Sequence, residues 1–130
     1  MPIDIAKKIK FNPLGGSIKV NFIFKSLLLC TYTFDVTEAG SNASLQDYPK
    51  KGDNSNLEDD SYVLPMPAHL NKDRRLWGYI TIIDQTGDRG KYEVAFEISQ
   101  DGKQLDLLST GPKEIKADHA EHNFVAQLIS

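Results

Sequence analysis

Ile18-Lys19-Val20-Asn21-Phe22-Ile23-Phe24-Lys25 (IKVNFIFK) sets Ile18, Val20, Phe22 and Phe24 against Lys19, Asn21 and Lys25. An apolar residue at every second position is the period of a β-strand, which turns one set of side chains to a core and the other to water. Lys91-Tyr92-Glu93-Val94-Ala95-Phe96-Glu97-Ile98 repeats the pattern, with Tyr92, Val94, Phe96 and Ile98 as its inward set. The β-branched and aromatic content of both stretches suits a pleated, half-buried surface.

Working outward, weaker runs of the same kind lie at 3–11, 27–36, 76–84 and 103–109, with a short strand expected near 62–64. Glycine- and proline-rich turn signals at 13–16, 86–90, 100–102 and 111–112 separate them. Short strands spaced by such turns predict an all-β chain: a single-domain antiparallel β-sandwich of about eight strands over residues 1–130. The arrangement resembles the small Ig-like or jelly-roll-like sandwich modules, and fold likeness assigns no function. Two segments are less direct. The C-terminal stretch alternates as Ala120, His122, Phe124, Ala126 and Leu128, yet Phe124/Leu128 and Val125/Ile129 are also i,i+4 pairs. A strand is expected there, with a short C-terminal helix as the alternative. Residues 38–60 (EAGSNASLQDYPKKGDNSNLEDD) are polar enough to predict one long loop, with Ser41–Asp60 as the most mobile part of the chain.

The 130 residues suffice for one core, and a net charge of −3 offers no basic footprint for nucleic acid or for an anionic membrane surface. No run approaches the roughly 18 apolar residues of a membrane span, and the first residues have no secretion-signal pattern. A cytoplasmic location is therefore the default expectation. Cys30 is the one cysteine, which excludes an intramolecular disulfide and a multi-cysteine zinc site. Its place in Leu27-Leu28-Leu29-Cys30 reads as that of a small buried hydrophobe.

Four groups of residues carry chemistry worth weighing. Asp84-Gln85-Thr86-Gly87-Asp88-Arg89-Gly90 offers two carboxylates at calcium-loop spacing, with Asp53, Glu58, Asp59 and Asp60 as a second source of oxygen ligands. It lacks the Gly-Lys-Ser/Thr of a phosphate loop, and it reads best as a hairpin turn with Gly87 and Gly90 at positive φ. His119 and His122 would share a face on a helix and part company on a strand, so no metal site and no cofactor is expected. His69 has no nucleophile beside it in sequence. Arg74 and Arg75 beside Trp77 and Tyr79 suit a carboxylate, a sulfate or a sugar ring, with Tyr62 and Tyr48 completing an aromatic rim.

No nucleophile–base pair, metal triad or cofactor fingerprint emerges. The leading expectation is a non-catalytic interaction module that binds a protein partner or itself through exposed strand edges and the Glu38–Arg75 region. Leu27-Leu28-Leu29-Cys30, read as a strand apolar on both faces, favours a symmetric homodimer covering it. The second expectation is a carbohydrate- or calcium-dependent binding module using Asp84, Asp88 and the aromatics. The third is a small β-fold enzyme with His69, His119 or His122 in its site.

Overall fold

The computed structural model describes residues 3–55, 60–87 and 89–130. Its strands, in chain order, are β1 (Ile5–Lys10), β2 (Ile18–Ser26), β3 (Leu29–Thr37), β4 (Lys50–Asp53), β5 (Asp60–Val63), β6 (Arg75–Ile83), β7 (Gly90–Gln100), β8 (Lys103–Ser109), β9 (Lys113–Ile115) and β10 (His119–Ile129). They form two packed five-stranded sheets. Sheet A has the order β1-β10-β6-β3-β4. Sheet B has the order β5-β2-β7-β8, with β9 lying along the other half of β7. The described residues include no α-helix, only a 3-10 turn at Ala68–Asn71. Among the described residues no helix is long and apolar enough to cross a membrane.

Both stretches that predict the fold are central strands, paired with each other from Ile18↔Gln100 to Ser26↔Tyr92. Their inward residues Val20, Phe22, Val94, Phe96 and Ile98 are fully buried. From sheet A they meet Phe34, Leu76, Ile80, Ile82, Phe124 and Leu128. Gly78 lets the layers close: a Cβ there would stand 3.3 Å from the Phe22 ring. Between β7 and β8 the turn is two residues long, with Asp101 and Gly102 both at positive φ, the backbone that best matches strand twist.

Several expectations need correction. The strands number ten rather than about eight, because β4 and β9 are short edge pieces. The pairing is not wholly antiparallel, since β1 runs parallel to β10 from Ile5↔Phe124 to Lys10↔Ile129. The C-terminal helix does not form. Ladders to β1 and β6 on both sides hold His119–Ile129 extended, with Phe124, Ala126 and Leu128 inward. Residues 38–60 are not one loop. Leu45 donates its N–H to the Val36 carbonyl, Tyr48 packs on Phe34, and Lys50–Asp53 pair with β3. Leu27-Leu28-Leu29-Cys30 is not a two-faced strand. Leu27 is fully exposed in the turn after β2, where Leu28 donates its N–H to the Ser26 hydroxyl; Cys30 faces the core. That removes the argument by which this run called for a dimer.

The opening between the sheets is closed differently at its two sides. At β4 and β5, the Tyr32 hydroxyl donates to Asp60 at 2.5 Å and meets the Tyr62 hydroxyl. Burial, and then these neighbours, push the Tyr32 phenol far above its ordinary range. At β1 and β8, Lys7 pairs with Asp106 at 3.2 Å.

Candidate functional site

Strand β6 is the third of five in sheet A, and its alternation places Leu76, Gly78, Ile80 and Ile82 inward. The opposite parity therefore turns Arg75, Trp77, Tyr79, Thr81 and Ile83 outward, all half-exposed. Register brings their neighbours. Trp77 stands between Asp35 and Val125, Tyr79 between Thr33 and Asn123, and Thr81 between Thr31 and Glu121. One step further, Thr33 pairs with Lys51 and Thr31 with Asp53. Residues remote in sequence thus form one solvent-facing surface around two aromatic rings.

The indole N–H of Trp77 donates to the Thr37 hydroxyl at 3.0 Å, which fixes the ring against β3. Burial, and next the adjoining Glu121 carboxylate, raise the Tyr79 phenol above its ordinary value, so it stays a neutral donor. Beside Tyr79 runs a groove of about 460 Å³. Its floor is Thr31 and Thr33, and its sides are Tyr79 and Thr81 against Lys51 and Asp53. One strand step along, Asp35 accepts from the Ser44 hydroxyl at 2.8 Å through one oxygen. Its other oxygen, Oδ1, is buried without a hydrogen-bond partner. A buried acceptor in that state is costly.

Of the residues singled out from sequence, Trp77, Tyr79 and Arg75 share this face. Arg74 turns away, bonding Asn71 at 3.0 Å and Glu38 at 3.0 Å to pin the corner before β6. Tyr62 is also elsewhere: it faces inward from β5 against Tyr32 and Phe34. Tyr48 stacks edge-on to Phe34 at the same side. The expected rim of Trp77, Tyr62 and Tyr48 therefore does not assemble.

Asp84 has another task. Its carboxylate accepts from the Gly87 N–H at 3.0 Å, the Arg89 N–H at 3.1 Å and the Arg89 guanidinium at 2.7 Å. The Arg89 bond first, and the backbone donors after it, hold its pKa below the usual carboxylate range. The segment is not a hairpin, because β6 and β7 lie in different sheets; it is an arch between them. Gly87 and Arg89 take positive φ there, and Gly90 opens β7. Asp88, Glu58 and Asp59 fall outside the described residues. Among the described residues no three His, Cys, Asp or Glu side chains gather in a metal-holding group.

The histidines separate. His119 is exposed at the start of β10, His69 lies in the 3-10 turn, and His122 is on the face of β10 opposite to His119. His122 bonds Asp4 through Nδ1 at 2.5 Å and the Tyr92 hydroxyl through Nε2 at 2.8 Å. This chain looks like a proton relay, but both ring nitrogens are engaged. Burial raises Tyr92, so the phenol at its end is a poor nucleophile. Cys30 is pushed up to about 11 by burial and is likewise inert.

Sequence reasoning missed Thr31, Thr33, Asp35 and Lys51, and it weighed Asp53 only as a calcium ligand. Alternation in Thr31-Tyr32-Thr33-Phe34-Asp35-Val36 was the available signal, since it puts the two threonines and Asp35 on one face. Comparison with protein families, with curated proteins and with solved structures finds no match, so this face is interpreted from its own residues.

Proposed function

We propose that the chain is a non-catalytic recognition module, an Ig-like or jelly-roll-like sandwich that presents the outer face of sheet A to a partner. One observation carries the reading. Trp77 and Tyr79 stand side by side on the solvent side of an interior strand, where their rings add nothing to the core between the sheets. Aromatic and arginine side chains at the centre of a face are the residues that dominate binding energies, and Arg75 completes the set. The engaged histidine and the raised Tyr92 and Cys30 favour recognition over catalysis.

The test sets the native chain beside a Trp77→Ala/Tyr79→Ala variant, each immobilised and exposed to an extract of the source cells. Retained material is identified by mass spectrometry and by sugar analysis. A partner held by the native chain and lost by the folded variant is the expected result. Equal retention by both overturns the reading. Self-association through the same face is its second form, and light scattering distinguishes it: a dimer that Trp77→Ala separates, against a monomer in both.

A further inference from the structure

We infer that the ligand of this face is a neutral saccharide chain lying along β3, in the groove beside Tyr79. The inference rests on the recognition reading above and goes on to name the chemical class.

The first argument is the lining. Thr31, Thr33 and Thr81 present three short hydroxyls, each able to donate one hydrogen bond and accept others. A polyhydroxylated ring demands donors and acceptors close together, and such a surface supplies both. A peptide would instead need apolar pockets for its side chains, and long aliphatic residues are absent from this groove's lining. Size agrees, since about 460 Å³ lies within the roughly 300–1,000 Å³ usual for small-ligand sites.

Charge is the second argument. Lys51 and Asp53 flank the groove from one short strand, one cation and one anion two residues apart. A phosphate, sulfate or uronate would meet Asp53 as soon as it met Lys51. A ligand without net charge meets no such penalty.

The third argument is direction. The floor continues from Thr31 and Thr33 to Asp35, and the wall from Thr81 and Tyr79 to Trp77. Amphipathic aromatic rings offer an apolar face to the C–H side of a sugar ring while their polar ends stay satisfied. A linear chain laid along β3 would meet Tyr79 and then Trp77. Volume alone does not choose this site. A groove of about 520 Å³ on sheet B is lined by Lys19, Asn21, Glu97, Ser99 and Gln104 among others, with no aromatic wall.

Trp77 is the chain's only tryptophan, so its emission reports on the face directly. The experiment titrates the full chain with neutral hexasaccharides of glucose, xylose, mannose, galactose and N-acetylglucosamine, and with a hexagalacturonate as the charged control. Tryptophan emission and backbone amide NMR shifts are followed together. At least one neutral hexasaccharide is expected to change Trp77 emission and shift Thr31, Thr33 and Lys51. Its affinity should fall tenfold or more in Tyr79→Ala and stay unchanged in Lys19→Ala on the opposite sheet. Thr33→Val, which keeps the shape and removes one hydroxyl, should weaken it several-fold and serves if Tyr79→Ala does not fold. Silence across the neutral panel overturns the inference, as does tighter binding of the hexagalacturonate. If the sugars are silent while capture from extract still depends on Trp77 and Tyr79, only the saccharide assignment falls and a protein occupant replaces it. Saccharide binding that ignores both aromatics overturns the assignment and the recognition reading together.

Discussion

On sheet B, the water-facing positions of β2 and β7 include Lys19, Asn21, Lys25, Glu93, Glu97 and Ser99; on sheet A, those of β6 are Arg75, Trp77, Tyr79, Thr81 and Ile83. Sheet B's polar groups answer one another across the strands. Asn21 donates to Glu97 at 2.8 Å, and Lys25 lies 3.9 Å from Glu93. Such pairs at the surface contribute little stability and leave polar groups that are already partnered. Sheet A's face instead holds two half-exposed rings and a buried acceptor oxygen without a donor. Both faces obey the same alternation, so strand formation cannot account for the difference. A requirement outside the fold can.

The comparison breaks first if inside and outside are not as distinct as the burial implies. Phe96→Ala, at the centre of the core, should cost about 3–5 kcal/mol in chemical denaturation. Glu97→Ala, one residue along and facing water on sheet B, should stay within about 0.5 kcal/mol. Equal costs would mean that the sheets do not pack as described.

A smaller effect tests the edge that walls the groove. A methyl group at Gly52 would overlap the Tyr32 hydroxyl, which Asp60 and Tyr62 hold in place. Gly52→Ala should destabilise by about 1–3 kcal/mol. It should also shift the amide resonances of Thr31 and Thr33 while leaving Asn21 and Glu97 unmoved. Trp77→Ala sharpens the contrast further. It removes a half-exposed ring and one hydrogen bond, so its stability cost should be about 1 kcal/mol, well below that of Phe96→Ala. Its cost in partner binding should be the larger of its two effects.

The smallest effect concerns the arch joining the two sheets. Asp84 is held below its ordinary pKa, so its contribution to stability is complete above the unfolded carboxylate value of about 3.9. That contribution is lost as pH falls through the lowered folded value. Asp84→Ala should therefore be less stable than the native chain at neutral pH, and the two denaturation midpoints should converge in acid. A gap that stays constant down to roughly pH 2 would show that Asp84 acts by shape alone.

The two central strands of sheet B were legible because their alternation is long and clean: Ile18 to Phe24 and Tyr92 to Ile98 each keep parity through four apolar positions. Lys50-Lys51-Gly52-Asp53 carries no apolar residue at all, and pairing with β3 rather than burial makes it a strand. The arch at Asp84 could not be told from a hairpin, since the sequence names the turn but not the sheet that receives the next strand. Tyr62 was assigned to the surface because a four-residue strand is too short to fix its own parity; contact with Tyr32 and Phe34 fixes it. For the site, Trp77, Tyr79 and Arg75 were visible as a cluster in one strand. Their partners come from β3, β4 and β10, and register alone makes them neighbours.

The parallel pairing of β1 with β10 has a mechanical consequence. Because Ile5 lies beside Phe124 and Lys10 beside Ile129, the two strands begin at the same end of the sandwich and finish together at the other. Tension applied between the start of β1 and the end of β10 would pull along these strands in opposite senses. All six paired positions would then bear load at once, as in a lap joint pulled lengthwise. Antiparallel strands pulled from one end would open like a zipper, one rung at a time. A sandwich built this way resists lengthwise tension between these two strands and holds the outer face of sheet A in register under strain.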